Sequence, residues 1–308
     1  MRIVYMGTPE FAVYGLESLI DNGHEVVGVV TQPDKPRGRG KNMEYTPVKE
    51  KALEYNIPVF QPEKIKDEAM IEKLKELNPQ VIVVAAYGQI LPESILNLPP
   101  YGCINIHASL LPKYRGAAPI EWAIIEGETV TGVTTMYMEK GLDTGDMIEK
   151  TEVTIEKDDT GKTLHDKLAQ AGGKLIISTL KALENNTAVR EKQNDSESCY
   201  AKMLTKEIGR IDFQNDASYI ERLIRGLNPW PCAYTTLEGK ILKLYKAVVV
   251  DEDGTPGEII RVTRKDFTVA CGKGALIIKN LQPEGKKPMD TVAFLNGNRL
   301  QPGMKFNS

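Results

Sequence analysis

The run Gln80-Val81-Ile82-Val83-Val84-Ala85-Ala86 decides how this chain folds. Its apolar residues do not alternate with polar ones, so a strand built from it has no wet face. A strand buried on both faces belongs in a parallel sheet with helices on each side. The run is the largest apolar stretch in the chain. It is far too short to cross a bilayer, which takes about 20 residues.

Working outward gives the same answer. Arg2-Ile3-Val4-Tyr5-Met6 reads as a strand, and Thr8-Pro9-Glu10 opens a helix to about Asn22, with Pro9 suited to its first turn. Glu25–Thr31 is a second strand, Gln32 to Pro47 a long loop, and a helix follows to about Tyr55. Ile57–Phe60 is a short strand, and Lys64–Leu77 a helix with apolar Ile65, Ala69, Ile71 and Leu74. Beyond the central run come a strand at Gly102–His107, a helix at Pro119–Glu126, strands at Val130–Tyr137 and Met147–Val153, and a long amphipathic helix at Thr160–Leu183. Strand and helix in alternation predict an α/β fold, an open and mostly parallel sheet with helices on both faces.

Ala188 to Lys206 is polar apart from Tyr200 and Met203, and is expected to be a linker. After a helix at Ala217–Leu227 the pattern turns to short strands joined by Gly-containing turns: Ala233–Leu237, Ile241–Val250, Gly257–Val262, Phe267–Cys271 and Ala275–Leu281. That predicts a small β barrel. The expected organisation is a first domain at 1–187, a linker at 188–206 and a second domain at 207–308.

Hydrophobic residues make up 41% and charged residues 26%, as in a soluble globular protein. The chain starts directly on a strand, with no charged segment, apolar core and cleavage site to suggest secretion. Four scattered cysteines without a CxxC pair argue against structural zinc and fit a reducing cytoplasm. No heptad or broad apolar stripe is visible, so a monomer is expected. Net charge is −3. Residues 207–308 carry a mild cationic excess of about +3, which says little alone about nucleic acid.

The chemistry gathers in Cys103-Ile104-Asn105-Ile106-His107-Ala108-Ser109-Leu110-Leu111-Pro112. Period two puts Asn105 and His107 on one face of a strand. Its end opens into a Pro-bounded loop, and ligands of parallel sheets sit at the carboxyl ends of strands. An amide donor and an imidazole there can reach one reacting atom. A carboxylate brought close by the fold can fix the ring. Together they equip a site to move an acyl-type group. Asp143, in Gly141-Leu142-Asp143-Thr144-Gly145-Asp146, is the candidate, with Thr144 and Asp146 as rivals. With no second His or Cys at ligand spacing, no metal is expected.

Gly7-Thr8-Pro9-Glu10 has one glycine where a dinucleotide fingerprint needs three, so a redox nucleotide is disfavoured. Gln32-Pro33-Asp34-Lys35-Pro36-Arg37-Gly38-Arg39-Gly40-Lys41 gathers cations among glycines and prolines, which suits either a solvated loop or contact with phosphates. Trp230 in Asn228-Pro229-Trp230-Pro231 is expected to pack at a seam, with base stacking as the other reading.

The run from Gly102 to Trp122 and the GLDTGDM around Asp143 closely resemble the formyltransferases that use 10-formyltetrahydrofolate. The Gly7-Thr8-Pro9-Glu10-Phe11 start, the TQPDKPRGRGK loop, NPWP and LQPEGKKPM are similar to the branch acting on methionyl initiator tRNA. The likeness covers essentially the whole chain. It implies a Rossmann-like first domain and an OB-fold-like second domain that binds tRNA. It implies Asn105, His107 and Asp143 as the catalytic set, Ser109-Leu110-Leu111-Pro112 as the folate-binding loop, and Arg39 with Lys41 as tRNA contacts. Asn105 and His107 would stabilise a negative oxygen, His107 would relay a proton, and Asp143 would orient the ring. A formyltransferase acting on a sugar-nucleotide or glycinamide ribonucleotide amine would share that set. A hydrolase that releases formate from the same folate is a third possibility for that set. A non-catalytic RNA-binding protein with a folate-sensing domain would not need it.

Overall fold

The computed structural model describes residues 1–37 and 42–307, which divide into two compact units. The first comprises Met1–Gly116, Val130–Thr154 and His165–Ala201, and the second Ala117–Thr129, Ile155–Leu164 and Lys202–Ser308.

The first unit is built on a seven-stranded sheet. Its order is Met147–Thr154, Val130–Tyr137, Cys103–His107, Val81–Ala85, Arg2–Gly7, Glu25–Val30, Val59–Phe60. The last five of these run parallel, and the first two are antiparallel additions to the edge. Val81–Ala85 is buried throughout, as an apolar run without alternation requires. From Arg2–Gly7 the chain winds outward to Val59–Phe60, then returns to Val81–Ala85 on the other side. In open parallel sheets, ligands bind beside such a reversal, at the carboxyl ends of the strands. Thr8 and Gln32 tie the ends together there, since Thr8 Oγ1 and Gln32 Nε2 both donate to the Tyr87 carbonyl at 3.1 Å.

Helix Glu10–Asp21 buries Phe11, Ala12, Gly15, Leu16 and Leu19, one face at helical spacing. Pro9 sits just outside it at the N-cap position rather than in the first turn. Helix Pro47–Glu54 is capped by the Thr46 side chain, which accepts from Lys49 N. The expected loop from Gln32 to Pro47 carries a short two-stranded ribbon, Lys35–Arg37 with Asn42–Glu44, and the one-turn helix Glu93–Leu96 also went unexpected. Both are too short to leave a periodic signal.

The stretch expected to be a linker is pinned up to Ala201. Glu191 bridges Met147, and Tyr200–Ala201 pairs in parallel with Arg115–Gly116. A polar composition reports exposed side chains and says nothing about backbone pairing.

The second unit holds an antiparallel sheet in the order Ala233–Leu237, Lys240–Val250, Ala275–Pro283, Phe267–Ala270, Ile259–Val262. Its two edges do not pair directly. The tail closes it instead, with Asn307 bridging Thr236 on one edge and Lys305 bridging Glu258 on the other. The core beneath contains Phe213, Phe267, Phe294 and Phe306, with Ile220 and Ile224 of helix Ala217–Gly226. Trp122 takes a packed place against this core, and its Nε1 donates to the Lys202 carbonyl. Trp230 does not pack as expected but is 55% exposed. Trp230 is flanked by prolines and follows the helix, whose apolar face is filled without it.

Candidate active site

Strand Cys103–His107 carries two of the candidate residues, and its two faces differ. Ile106 fills notches left by Gly15 and Gly172, where an added Cβ would come within 3.2 Å and 2.8 Å of its side chain. Helices therefore seal that face. Asn105 and His107 project on the other, and lie opposite Met136 and Thr134 of Val130–Tyr137.

Both residues are nearly buried, Asn105 at 9% exposure and His107 at 6%. The His107 ring is held from its far side. Its Nε2 lies 2.9 Å from the Tyr114 carbonyl oxygen. A carbonyl only accepts, so Nε2 carries the proton and Nδ1 is the atom left for proton exchange. Asp143 Oδ2 stands 3.7 Å from that Nδ1, close enough for a charge interaction but too far for a hydrogen bond. Among the described residues, none bonds to the Asn105 side-chain amide. An amide that no neighbouring side chain or carbonyl engages is a donor available to a ligand.

Asp143 is brought to this point by a shaped loop. Its φ is +52°, in the left-handed region. Its Oδ2 accepts from Gly116 N at 2.8 Å. Gln193 Nε2 donates to the carbonyls of Asp143 and Gly145, each at 2.8 Å. At Gly145 a Cβ would lie 1.8 Å from the Tyr137 carbonyl oxygen, so the loop passes too close for any other residue. The rival Thr144 is engaged elsewhere, with its hydroxyl donating to Glu139 Oε1 at 2.6 Å.

The loop after the strand turns back on itself. Ser109 Oγ donates to the Lys113 carbonyl at 2.6 Å. Thr134 Oγ1 donates to the Ser109 carbonyl and accepts from Leu111 N. Ser109 and Leu111 are buried, Leu111 against Met136 and Met147, while Leu110 and Pro112 are partly exposed. Arg39 and Lys41 lie outside the described residues. A groove of about 490 Å³ along the long helix Gly161–Glu184, lined by Thr151, Lys167, Gln170, Lys174 and Ser178 among others, borders none of the expected site residues. Among the described residues no cluster of His, Cys, Asp and Glu is arranged for a metal. None of their helices is long and apolar enough to cross a membrane.

Sequence reasoning overlooked Tyr114, Gln193 and Thr134. Tyr114 acts through its main chain, and the other two reach the site from segments distant in sequence. No local signal marks any of them.

Comparison with known proteins shows the family of the chain. Residues 1–180 match the family of formyl transferases, and residues 203–299 the formyl transferase C-terminal domain. A methionyl-tRNA formyltransferase of Lachnospira eligens is 52% identical over 311 residues, 99% of each chain. The chain belongs to the methionyl-tRNA formyltransferase family. An Agathobacter rectalis protein of the same description is 54% identical, again over 99% of each chain. The fold recurs in WlaRD, a sugar 3N-formyl transferase solved in the presence of dTDP and 5-N-formyl-THF. There the TM-score is 0.68 at 21% identity, with 93% of this chain and 99% of that one covered.

Proposed function

We propose that this chain transfers the formyl group of 10-formyltetrahydrofolate to the free α-amine of methionine esterified to initiator tRNA. One observation carries the reading above the others. Relatives described as methionyl-tRNA formyltransferases match both units of this chain end to end, at 51–54% identity. A sugar-nucleotide or glycinamide ribonucleotide acceptor would share the site but lacks that support.

The residues fit the chemistry. The folate supplies a formyl carbon that is already activated, so no covalent enzyme intermediate is needed. Asn105, whose amide no described residue engages, donates to the oxygen that gains charge as the amine attacks. His107 Nδ1 takes the proton released by the amine and passes it towards the leaving nitrogen. A model α-amine titrates near pH ~8, so a useful fraction is neutral in the cell. Asp143 supports the ring when it is charged, and the Tyr114 carbonyl sets its orientation. Ser109 and Leu111 shape the loop, which leaves Leu110, Pro112 and the main chain to meet the folate.

Both acceptor classes present an amine, so the chemistry cannot discriminate between them, and tRNA selection falls to other parts. The 32–47 loop with Arg39 and Lys41 and the 207–308 domain take that role in this reading. The protein would then work as a cytoplasmic monomer. The test is formyl transfer to charged initiator tRNA, uncharged tRNA and a sugar-nucleotide amine in parallel. Product from the charged tRNA alone is expected, and preference for the sugar amine refutes the assignment. Arg39→Ala should weaken use of charged tRNA while folate binding survives. Equal loss of both refutes a tRNA role for the loop.

A further inference from the structure

Gln193 comes from the stretch that composition marks as a linker, yet its side chain is fully committed. One amide nitrogen donates to two carbonyls, of Asp143 and Gly145, both at 2.8 Å. The amide oxygen accepts from Arg115 Nε at 2.8 Å, and Arg115 Nη2 is held in turn by Asp195 Oδ1. The amide has one workable orientation. Turned over, its oxygen would face two carbonyl oxygens and its nitrogen a guanidinium. The same segment also holds the donor on the carboxylate. Tyr200–Ala201 pairs with Arg115–Gly116, and Gly116 N bonds Asp143 Oδ2. Residues 193–201 thus grip Asp143 at its main chain and at its side chain. A left-handed φ of +52° is unfavourable for a residue with a Cβ and persists only when its surroundings enforce it.

We propose that Gln193 is a positioning residue for formyl transfer. By clamping the carbonyls of Asp143 and Gly145 it keeps the Asp143 carboxylate turned towards His107. The inference rests on the roles given above to His107 and Asp143. Released from the clamp, the loop relaxes to a more favourable φ and the carboxylate leaves the ring.

The experiment uses the full chain with Gln193→Ala and Gln193→Glu, and with His107→Ala and Asp143→Asn as references. It reads kcat, KM for both substrates, the pH dependence of kcat, and folate affinity by calorimetry. Both Gln193 variants should lose about 10- to 100-fold in kcat, part of what a positioned base contributes. KM and folate affinity should stay within about threefold, and the acid limb of the kcat profile should move. Gln193→Glu keeps the shape and an oxygen for Arg115 but sets a carboxylate against two carbonyls, so it should not rescue. It carries the test if the alanine variant fails to fold. Gln193 variants within about threefold of wild type in kcat, beside His107→Ala and Asp143→Asn that lose about tenfold or more, overturn the role of Gln193 alone. Loss of kcat matched by equal loss of folate binding marks a merely structural residue and also overturns it. Near-normal activity of both reference variants would instead bring down the reading of the site itself.

Discussion

Replacing Asp143 with Asn removes one charge and almost nothing else. The amide oxygen of Asn can still accept from Gly116 N, and Gln193 still clamps the main chain, so the loop should keep its course. What disappears is a negative charge 3.7 Å from His107 Nδ1. Two unit charges at that separation attract by about 1 kcal/mol in bulk water and by about 4 kcal/mol at an effective dielectric of about 20. With side-chain exposures of 7% and 13%, the pair belongs nearer the second value. That energy favours the imidazolium that forms when the ring takes a proton, so the transition state for proton transfer loses it. Each 1.36 kcal/mol is a factor of ten, so kcat should fall by about 10- to 10³-fold. Single-turnover transfer to methionyl-tRNA measures this directly, with folate and tRNA affinities determined separately and expected to hold. A variant whose transfer rate stays within about twofold of wild type refutes the charge argument. So does one that loses its rate only through weaker binding.

Two further outcomes concern what holds each unit together. Phe306 lies 5.8 Å from the Phe213 ring and 6.0 Å from that of Phe267, on the tail that closes the second sheet. Phe306→Ala should therefore cost about 3–5 kcal/mol in urea unfolding, and a change below about 1 kcal/mol would mean the tail is not part of the core. In the first unit, Lys49 bonds both Asp34 and Gln61 at the stem of the 32–47 loop. Burial pushes the Asp34 carboxyl up, but the Lys49 ammonium and Gln61 amide more than reverse this and leave it below the usual aspartate range. A carboxylate so lowered adds stability above its unfolded value, and that stability is lost as pH falls through the folded one. Lys49→Met should cost about 1–3 kcal/mol at neutral pH. The gap to wild type should shrink as pH falls below about 4. A gap that is the same at both pH values would show that the ion pair is not its source.

How far the site was legible depends on how each residue reaches it. Asn105 and His107 share a strand, and period two alone puts them on one face, so their pairing needed no fold. The burial of Val81–Ala85 was equally local, a matter of five residues with no polar partner among them. Asp143 was harder. Loop residues have no period, and only the tertiary structure, by sending Thr144 to Glu139, separates the carboxylate from its neighbour. Tyr114 could not be found by side-chain chemistry, because a carbonyl, which every residue has, does its work. Gln193 is the clearest limit. Composition placed it in a tether, yet its amide bonds a main-chain atom 50 residues away. Composition averages over a stretch, whereas a clamp needs only one side chain of the right length with its donors and acceptor met by a second segment. Such residues become visible when hydrogen bonds are traced outward from a strained position, here the left-handed φ of Asp143. Strain in that loop has to be balanced by contacts elsewhere, and the contacts that balance it lead to residues 193–201.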